Sequence, residues 1–170
     1  MHIGKTQFGG TSLSVIDITM PEDESNYGMT IDQNTGNYII LSEHGEEDYS
    51  DPNNYIYKQH FFLNVYSQQG ELLNRTELDL GNEDEWYGIN GYGIAGNGDI
   101  CIVGGNKIYV FDSSLQKAGE IHMSDTAWVE NFFVTSEGVP YVSVWTEGAE
   151  YSTNSFYEVD TRTIILTPKE

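Results

Sequence analysis

The chain has 170 residues, of which 27 are acidic and 7 are basic, giving a formal net charge of −20. This excess of acid disfavours nucleic-acid binding, because phosphate contacts require clusters of Lys and Arg, and anionic membrane surfaces would also repel the chain. No run reaches the ~18 apolar residues of a membrane span. The start, MHIGKTQFGG, lacks the basic and apolar regions of a signal peptide.

The N-terminal part of the chain predicts one strand after a loose lead-in. Residues 1–10 have no regular pattern. Residues 12–20 (SLSVIDITM) form a largely apolar strand that Pro21 ends, since proline cannot donate to a strand ladder. This strand resembles the outer strand of a preceding sheet. An acidic connector then leads to Tyr27.

Residues 27–80 predict the first antiparallel unit, with strands near 27–32, 37–42, 57–67 and 71–80. Between the second and third strands lies the most polar stretch, residues 43–55. Its carboxylates raise the question of calcium binding, but their spacing does not match the alternate ligands of an EF-hand loop. We predict a solvated acidic loop and leave calcium binding open.

The shortest version of the same unit lies at residues 91–123. Its Asn97-Gly98 dipeptide, placed between apolar runs, is a strong signal for a two-residue hairpin turn. Strands are predicted at 92–96, 99–103, 107–111 and 118–123, with Cys101 as a small buried hydrophobic residue in mid-strand. The unit is therefore an antiparallel meander.

The chain repeats this unit, because a turn glycine recurs at the same point of each copy. Gly36, Gly98 and Gly138 are separated by 62 and 40 residues. The second spacing matches the ~40 to 45 residues of a four-stranded propeller blade, and the first becomes comparable when the insertions at 43–56 and 81–90 are set aside. The third unit is predicted at residues 128–167.

The fold class predicted is all-β, with three four-stranded antiparallel meanders plus the N-terminal strand in one domain spanning residues 1–170. Runs such as Ile100 to Val103 are apolar at nearly every residue, which indicates strands covered on both faces. No segment has the apolar spacing of a helix.

These motifs, a turn with Asn or Asp and Gly, then I-x-I-V, a short loop and I-Y-V-F-D, resemble the blades of bacterial β-propeller repeat proteins. They are more loosely similar to the propeller regions of Gram-positive extracellular lipoproteins of the solute-binding type. The resemblance covers residues 11–167 and implies a β-propeller in an extracellular or cell-surface bacterial protein. A cytoplasmic location is the alternative.

Three blades and one strand are fewer than the 4 to 8 blades with which propellers close. We therefore expect a partial propeller whose open faces are covered by further blades of a longer chain or by self-association.

Catalytic chemistry has little support in the sequence. Nothing matches G-x-S-x-G, and the four histidines His2, His44, His60 and His122 have no metal-ligand spacing. We expect no cofactor and no metal site. The favoured function is a non-catalytic binding module, and the alternatives are a metal-dependent lactonase or polysaccharide-active propeller enzyme and a purely structural spacer.

The candidate ligand-binding residues are aromatic and acidic side chains in the connector that enters each unit. In a propeller these loops would converge on one face around the axis, and we expect the ligand or partner to bind there. Carboxylates flank aromatic rings there, a combination that suits carbohydrate or peptide ligands and protein partners. The competing interpretation places Trp86 and Trp128 in the core between stacked sheets. The candidates are Tyr27, Trp86, Tyr87, Trp128 and Glu130.

Overall fold

The computed structural model describes residues 1–6, 13–51, 54–80, 88–148 and 151–169. These residues form strands and turns without any helix, which confirms the all-β class. No helix in this part of the chain is long and apolar enough to cross a membrane. The strands are β1 (His2–Thr6), β2 (Leu13–Asp17), β3 (Ser25–Ile31), β4 (Tyr38–Asp51), β5 (Asn54–Tyr66), β6 (Leu72–Glu77), β7 (Ile89–Ile94), β8 (Ile100–Gly104), β9 (Lys107–Phe111), β10 (Lys117–His122), β11 (Ala127–Val134), β12 (Pro140–Thr146), β13 (Thr153–Asp160) and β14 (Ile165–Lys169).

The strands form three four-stranded antiparallel sheets, each with its strands in chain order. Sheet I contains β3 to β6, sheet II contains β7 to β10, and sheet III contains β11 to β14. The three predicted meanders are thus present, with bounds within a few residues of those expected at most strand ends. The chain divides into two compact units, Met1–Leu78 and Asp79–Glu170.

The N-terminus differs from the prediction, because the residues expected to form a lead-in contain a strand. β1 pairs antiparallel with β2, and Ile3 lies opposite Ile16. The predicted strand at 12–20 is shorter, ending at Asp17, and residues 7–12 lie outside the described part. The sequence did not predict β1 because Ile3 is its only apolar side chain. Its burial completes a cluster with Ile18, Tyr38, Ile40 and Tyr66.

The acidic stretch at 43–55 is also different from the loop that was predicted. β4 and β5 continue past sheet I as a paired ribbon, with Asp48 opposite Ile56 and Glu47 opposite Tyr57. The strand was not predicted because the side chains in this part of β4 are polar and do not alternate with apolar residues. Gly45 accommodates the Tyr57 ring, which occupies the space that a Cβ atom would need.

The turn glycines have a left-handed backbone, but the turn at Asn97-Gly98 is not the two-residue turn that was predicted. Asn97 has no positive φ, and the Ala95 N–H donates to the Asp99 carbonyl at 2.8 Å, which closes a three-residue loop. Gly36, Gly98 and Gly138 have φ values of +71°, +91° and +79°, a region that L side chains rarely occupy. The equivalence of these three positions, inferred from sequence spacing, is therefore visible in the backbone.

Sheets II and III pack face to face through a shared apolar core. Their first strands, β7 and β11, lie side by side, and Gly91 and Gly93 of β7 leave room for Phe132 and Val134 of β11. The turns also meet, because the Gly96 N–H donates to the Gly138 carbonyl at 2.7 Å. The core contains Cys101, Val103, Ile108, Val110, Ala127, Val129, Val142, Val144 and Val159.

The middle of sheet II is buried throughout, as its continuous apolar sequence predicted. Every residue of Ile100–Gly104 is buried. Burial raises the pKa of the Cys101 thiol to about 12, so this side chain stays neutral and acts as a core residue.

Two turns are closed by aspartates that accept hydrogen bonds from the residues that follow. The Ser114 hydroxyl, followed by the Gln116 backbone N–H, holds the pKa of Asp112 below its usual range. The Thr163 side chain and the N–H groups of Thr163 and Arg162 do the same for the pKa of Asp160.

Gly93→Ala should lower the free energy of unfolding by ~1 to 3 kcal/mol, because overpacking a well-filled contact is destabilising. An added Cβ would lie 2.8 Å from Val134 Cγ2. In a Val134→Ala background that atom is gone, so the same glycine change should cost less. Urea unfolding of the four proteins measures the coupling. An equal cost in both backgrounds would contradict the packing described.

Acid should remove the contribution of the two turn aspartates. A carboxyl group whose folded pKa lies below its unfolded value, 3.8 for Asp, stabilises the fold above that pH. The contribution disappears as pH falls through the folded pKa. The double variant Asp112→Asn and Asp160→Asn should therefore show a weaker loss of stability below about pH 4 than the wild type. Urea unfolding across the acidic range tests this, with each single variant, Asp112→Asn and Asp160→Asn, also compared with Asp125→Asn, which removes the same charge.

Candidate functional site

The first strand of each sheet carries a β-bulge at the same position. Tyr27 in β3, Asn90 in β7 and Glu130 in β11 are the extra residues, each placed where the register of the ladder shifts. A bulge bends its strand and redirects the local side chains, and such features often lie beside functional sites. Two of the predicted candidates, Tyr27 and Glu130, thus occupy equivalent positions.

Trp128 lies on strand β11 and not in the connector before it. Its neighbours Ala127 and Val129 enter the core shared with sheet II, so Trp128 is on the opposite face of sheet III, where its side chain remains 40% exposed. It is paired with Trp145 of β12, and the two ring centroids are 4.4 Å apart. This arrangement creates a broad exposed aromatic surface.

A second aromatic pair lies farther along the same two strands. Phe133 and Tyr141 are cross-strand partners whose rings stack with centroids 5.6 Å apart, and Phe133 is 48% exposed. Between the two aromatic pairs, Asn131 donates a hydrogen bond to Ser143 at 3.2 Å.

We call this surface of sheet III the aromatic face. Its members share one side of the sheet by strand register, since directly paired residues lie on the same face. They are Trp128, Asn131, Phe133, Tyr141, Ser143 and Trp145, together with Phe156 and Glu158 of β13, which pair with Ser143 and Tyr141.

The aromatic face differs from the corresponding surface of sheet II. On the corresponding face of sheet II, the first two cross-strand pairs after the bulge are Gly91–Val103 and Gly93–Cys101. These small residues allow sheet III to approach closely. In sheet I the equivalent pairs are Gly28–Leu41 and Thr30–Ile39.

Sheet III replaces these residues with polar and aromatic ones, Asn131–Ser143 and Phe133–Tyr141. In sheet II this surface is covered by sheet III, whereas in sheet III Trp128 and Phe133 remain 40% and 48% exposed. The surface therefore has the composition of a recognition surface, in which rings and hydrogen-bonding groups alternate.

The aromatic face carries one ion pair in a chain of net charge −20. Its carboxylate, Glu158, pairs with Lys169 of β14 at 2.5 Å. The hydrogen bond that Lys169 donates to Glu158 raises the pKa of the lysine, so the lysine stays charged at neutral pH. The other residues assigned to this face are uncharged.

The structure brings some of the predicted residues together. Trp128 and Glu130 are both on β11, two residues apart. Tyr27 is in the first compact unit, where its ring meets Phe61 edge-on at 5.6 Å. Trp86 and Tyr87 lie outside the described residues, so their role in binding stays a prediction.

Sequence analysis missed the partners of Trp128. Trp145, Phe133 and Tyr141 all lie inside the third predicted unit, residues 128–167, and the alternation of aromatic residues along β11 and β12 was the available signal. To predict that these rings meet, one must know the register of the β11–β12 hairpin, which the bulge at Glu130 shifts by one residue.

A second polar cluster ties the connector before β3 to sheet I. Glu24, whose side chain is 2% exposed, accepts hydrogen bonds from Arg75 Nε at 2.9 Å and from Ser42 Oγ at 2.5 Å. Asn64 Nδ2 lies 3.3 Å from the same carboxylate. The Arg75 guanidinium also covers the Phe62 ring at 3.9 Å. This cluster links β4, β5 and β6 and has a structural role.

Two histidines adjoin this cluster on the same sheet. His60 Nδ1 lies 2.7 Å from Glu77 Oε1, while His44 faces His60 with ring centroids 6.4 Å apart. Among the described residues, no group of three or more His, Cys, Asp or Glu side chains has a geometry able to hold a metal ion.

Glu24→Ala should lower the free energy of unfolding by ~1 to 3 kcal/mol, because the buried Ser42 hydroxyl loses its acceptor and the Asn64 amide keeps only its bond to Ser42. Arg75 is 40% exposed, so water compensates most of its lost ion pair. Thermal and urea unfolding measure the effect, with the exposed neighbour Glu22→Ala as the control. Equal stabilities of the two variants would contradict a structural role for the cluster.

Comparison with known proteins supports the fold alone. No family model and no curated protein matches the chain. The chain is similar to a protein of unknown function from Bacteroides caccae whose crystal structure was determined at 1.35 Å, with a TM-score of 0.53 and 12% identity. The match covers 91% of this chain and 52% of that protein, so this chain spans about half the length of the solved structure.

Proposed function

We propose that the protein is a non-catalytic binding module built from β-propeller blades. Three features support a propeller. Each four-stranded sheet is a meander, sheets II and III stack face to face with their first strands adjacent, and a short connector runs from the last strand of sheet II to the first strand of sheet III. Blades of a propeller are connected and stacked in this way.

The partial ring expected from the sequence fits this proposal. Three four-stranded sheets align with about half of the Bacteroides caccae chain. Three blades are fewer than the 4 to 8 of a closed propeller. We propose that the three sheets form an open partial propeller, in which the outer face of sheet III is not covered by another blade.

The ligand is bound on the aromatic face of sheet III. The observation that carries this proposal is the exposed Trp128–Trp145 pair, with centroids 4.4 Å apart. Large exposed aromatic side chains mark recognition surfaces, because burying them against a ligand is favourable and few rotatable bonds are immobilised. Glu130, exposed at the adjacent bulge, adds a hydrogen-bond acceptor.

Trp128→Ala tests the proposal. Because Trp128 is already 40% exposed, the variant should remain folded with a modest decrease in melting temperature, whereas affinity should fall by at least about tenfold, as expected for a central aromatic contact. The assay is a glycan and peptide array followed by calorimetry on the ligands retained.

Tyr151→Ala is the matched control, since Tyr151 is 80% exposed and belongs to none of the aromatic pairs. Its binding should equal that of the wild type. A loss of stability in Trp128→Ala of ~3 to 5 kcal/mol would identify the tryptophan as a core residue instead. Unchanged ligand affinity in a folded Trp128→Ala variant would contradict the proposed site.

A further inference from the structure

Sheet II contains both Asn-Gly dipeptides of the chain, Asn90-Gly91 in β7 and Asn97-Gly98 in the turn that follows. In this dipeptide the backbone nitrogen of the glycine can approach the asparagine side chain, because glycine carries no Cβ atom to obstruct it. We infer that Asn90 is a site of spontaneous deamidation, whereas the folded structure protects Asn97. This modification goes beyond the proposed function, and only its effect on the aromatic face rests on it.

Deamidation at Asn90 requires water and no enzyme or cofactor. The Gly91 backbone nitrogen loses its proton and forms a bond to the side-chain carbonyl carbon of Asn90. The bond from that carbon to the amide nitrogen breaks, and the nitrogen leaves as ammonia with the proton. Water then opens the five-membered imide at either carbonyl group. The products are aspartate and isoaspartate, which both carry a carboxylate in place of the neutral amide.

Asn90 lies where the backbone is irregular, and its side chain is exposed. It is the extra residue of the β7 bulge, so it lies between the residues that pair with β8, and its backbone departs from the regular pleat. Among the described residues, its side chain makes one hydrogen bond, from Nδ2 to the Val129 carbonyl at 3.2 Å. The carbonyl carbon that Gly91 attacks is therefore accessible, and a single neutral hydrogen bond opposes the rotation that the reaction needs.

Asn97, in contrast, is held at both ends of its side-chain amide. Nδ2 donates to Asp99 Oδ2 at 2.6 Å and to Thr161 Oγ1 at 3.0 Å, while Oδ1 accepts from the Asp99 backbone N–H at 3.2 Å. The attacking nitrogen is also engaged, since the Gly98 N–H donates to the Ala95 carbonyl at 2.9 Å. Imide formation has to break several of these bonds together, so the folded turn should react slowly.

The modification of Asn90 reaches the aromatic face through Val129. Sheet II holds the backbone of this residue on both sides, because its N–H donates to the Gly105 carbonyl at 3.1 Å and its carbonyl accepts from Asn90 at 3.2 Å. Val129 is buried and directly follows Trp128. An ionised aspartate only accepts hydrogen bonds, so deamidation removes the donor and places a negative charge beside the Val129 carbonyl. The backbone of β11 should turn there and change the angle between Trp128 and Trp145.

Tandem mass spectrometry after incubation at mildly alkaline pH measures the modification, by the mass gained when OH replaces NH2. In the native protein, the product should accumulate severalfold faster at Asn90 than at Asn97. In urea the two rates should become similar, because the difference comes from the fold. Thr161→Ala should accelerate the reaction at Asn97 and leave that at Asn90 unchanged. A faster reaction at Asn97 in the native protein, no reaction at Asn90, or the same preference in urea would overturn the inference.

Asn90→Asp, which is one of the two deamidation products, tests the effect on the aromatic face. Two indole rings whose centroids are 4.4 Å apart couple their electronic transitions and give a paired signal in far-ultraviolet circular dichroism that depends on their angle. Trp145→Phe should abolish that signal and thereby identifies it. Asn90→Asp should change its amplitude, whereas the exposed control Asn74→Asp, with the same change of charge, should not.

An unchanged signal in a folded Asn90→Asp variant would refute the link between Asn90 and the aromatic face. Both experiments use the protein without ligand. The absence of binding to any glycan or peptide would therefore contradict the proposed function and leave the deamidation of Asn90 unaffected.

Discussion

The close approach of sheets II and III is the constraint on which the second unit depends. It is possible because β7 carries glycine at two alternating positions, so that the side chains of β11 pack almost directly on backbone. Once the first strands are in contact, the aliphatic residues of the later strands meet and form a continuous core. A dense interior of this kind tolerates little change in volume. The apolar sequence of β8 therefore follows from the glycines of β7.

Much of this fold was accessible from the sequence because its signals were local. Turn glycines with a required backbone conformation, such as Gly98, and a continuously apolar strand at Ile100–Gly104 identify elements without tertiary information. β1 and the β4–β5 ribbon were not accessible. Their backbones are held by strand pairing, while their side chains lack the alternation from which pairing is inferred. A strand that is stabilised by backbone hydrogen bonds rather than by a buried face cannot be predicted from the hydropathy of its sequence.

The sequence predicted only part of the candidate site, because the rest depends on how the strands pair. Trp128 and Glu130 stand out by residue type, but their relation to Trp145 and Tyr141 depends on cross-strand register, which the bulge at Glu130 shifts. The sequence also could not show which face of sheet III remains exposed. The small residues of sheet II decide this, because one face of sheet III packs against them and the opposite face stays exposed.

The three bulges show that one backbone feature can hold quite different side chains. The three equivalent positions hold a tyrosine, an asparagine and a glutamate, while the strands on both sides keep the same pairing. The backbone irregularity is retained although its side chain changes from aromatic to amide to acid. One backbone irregularity therefore holds side chains with different contacts: the Tyr27 ring packs edge-on against Phe61, the Asn90 amide donates to the Val129 carbonyl of sheet III at 3.2 Å, and Glu130 stays exposed.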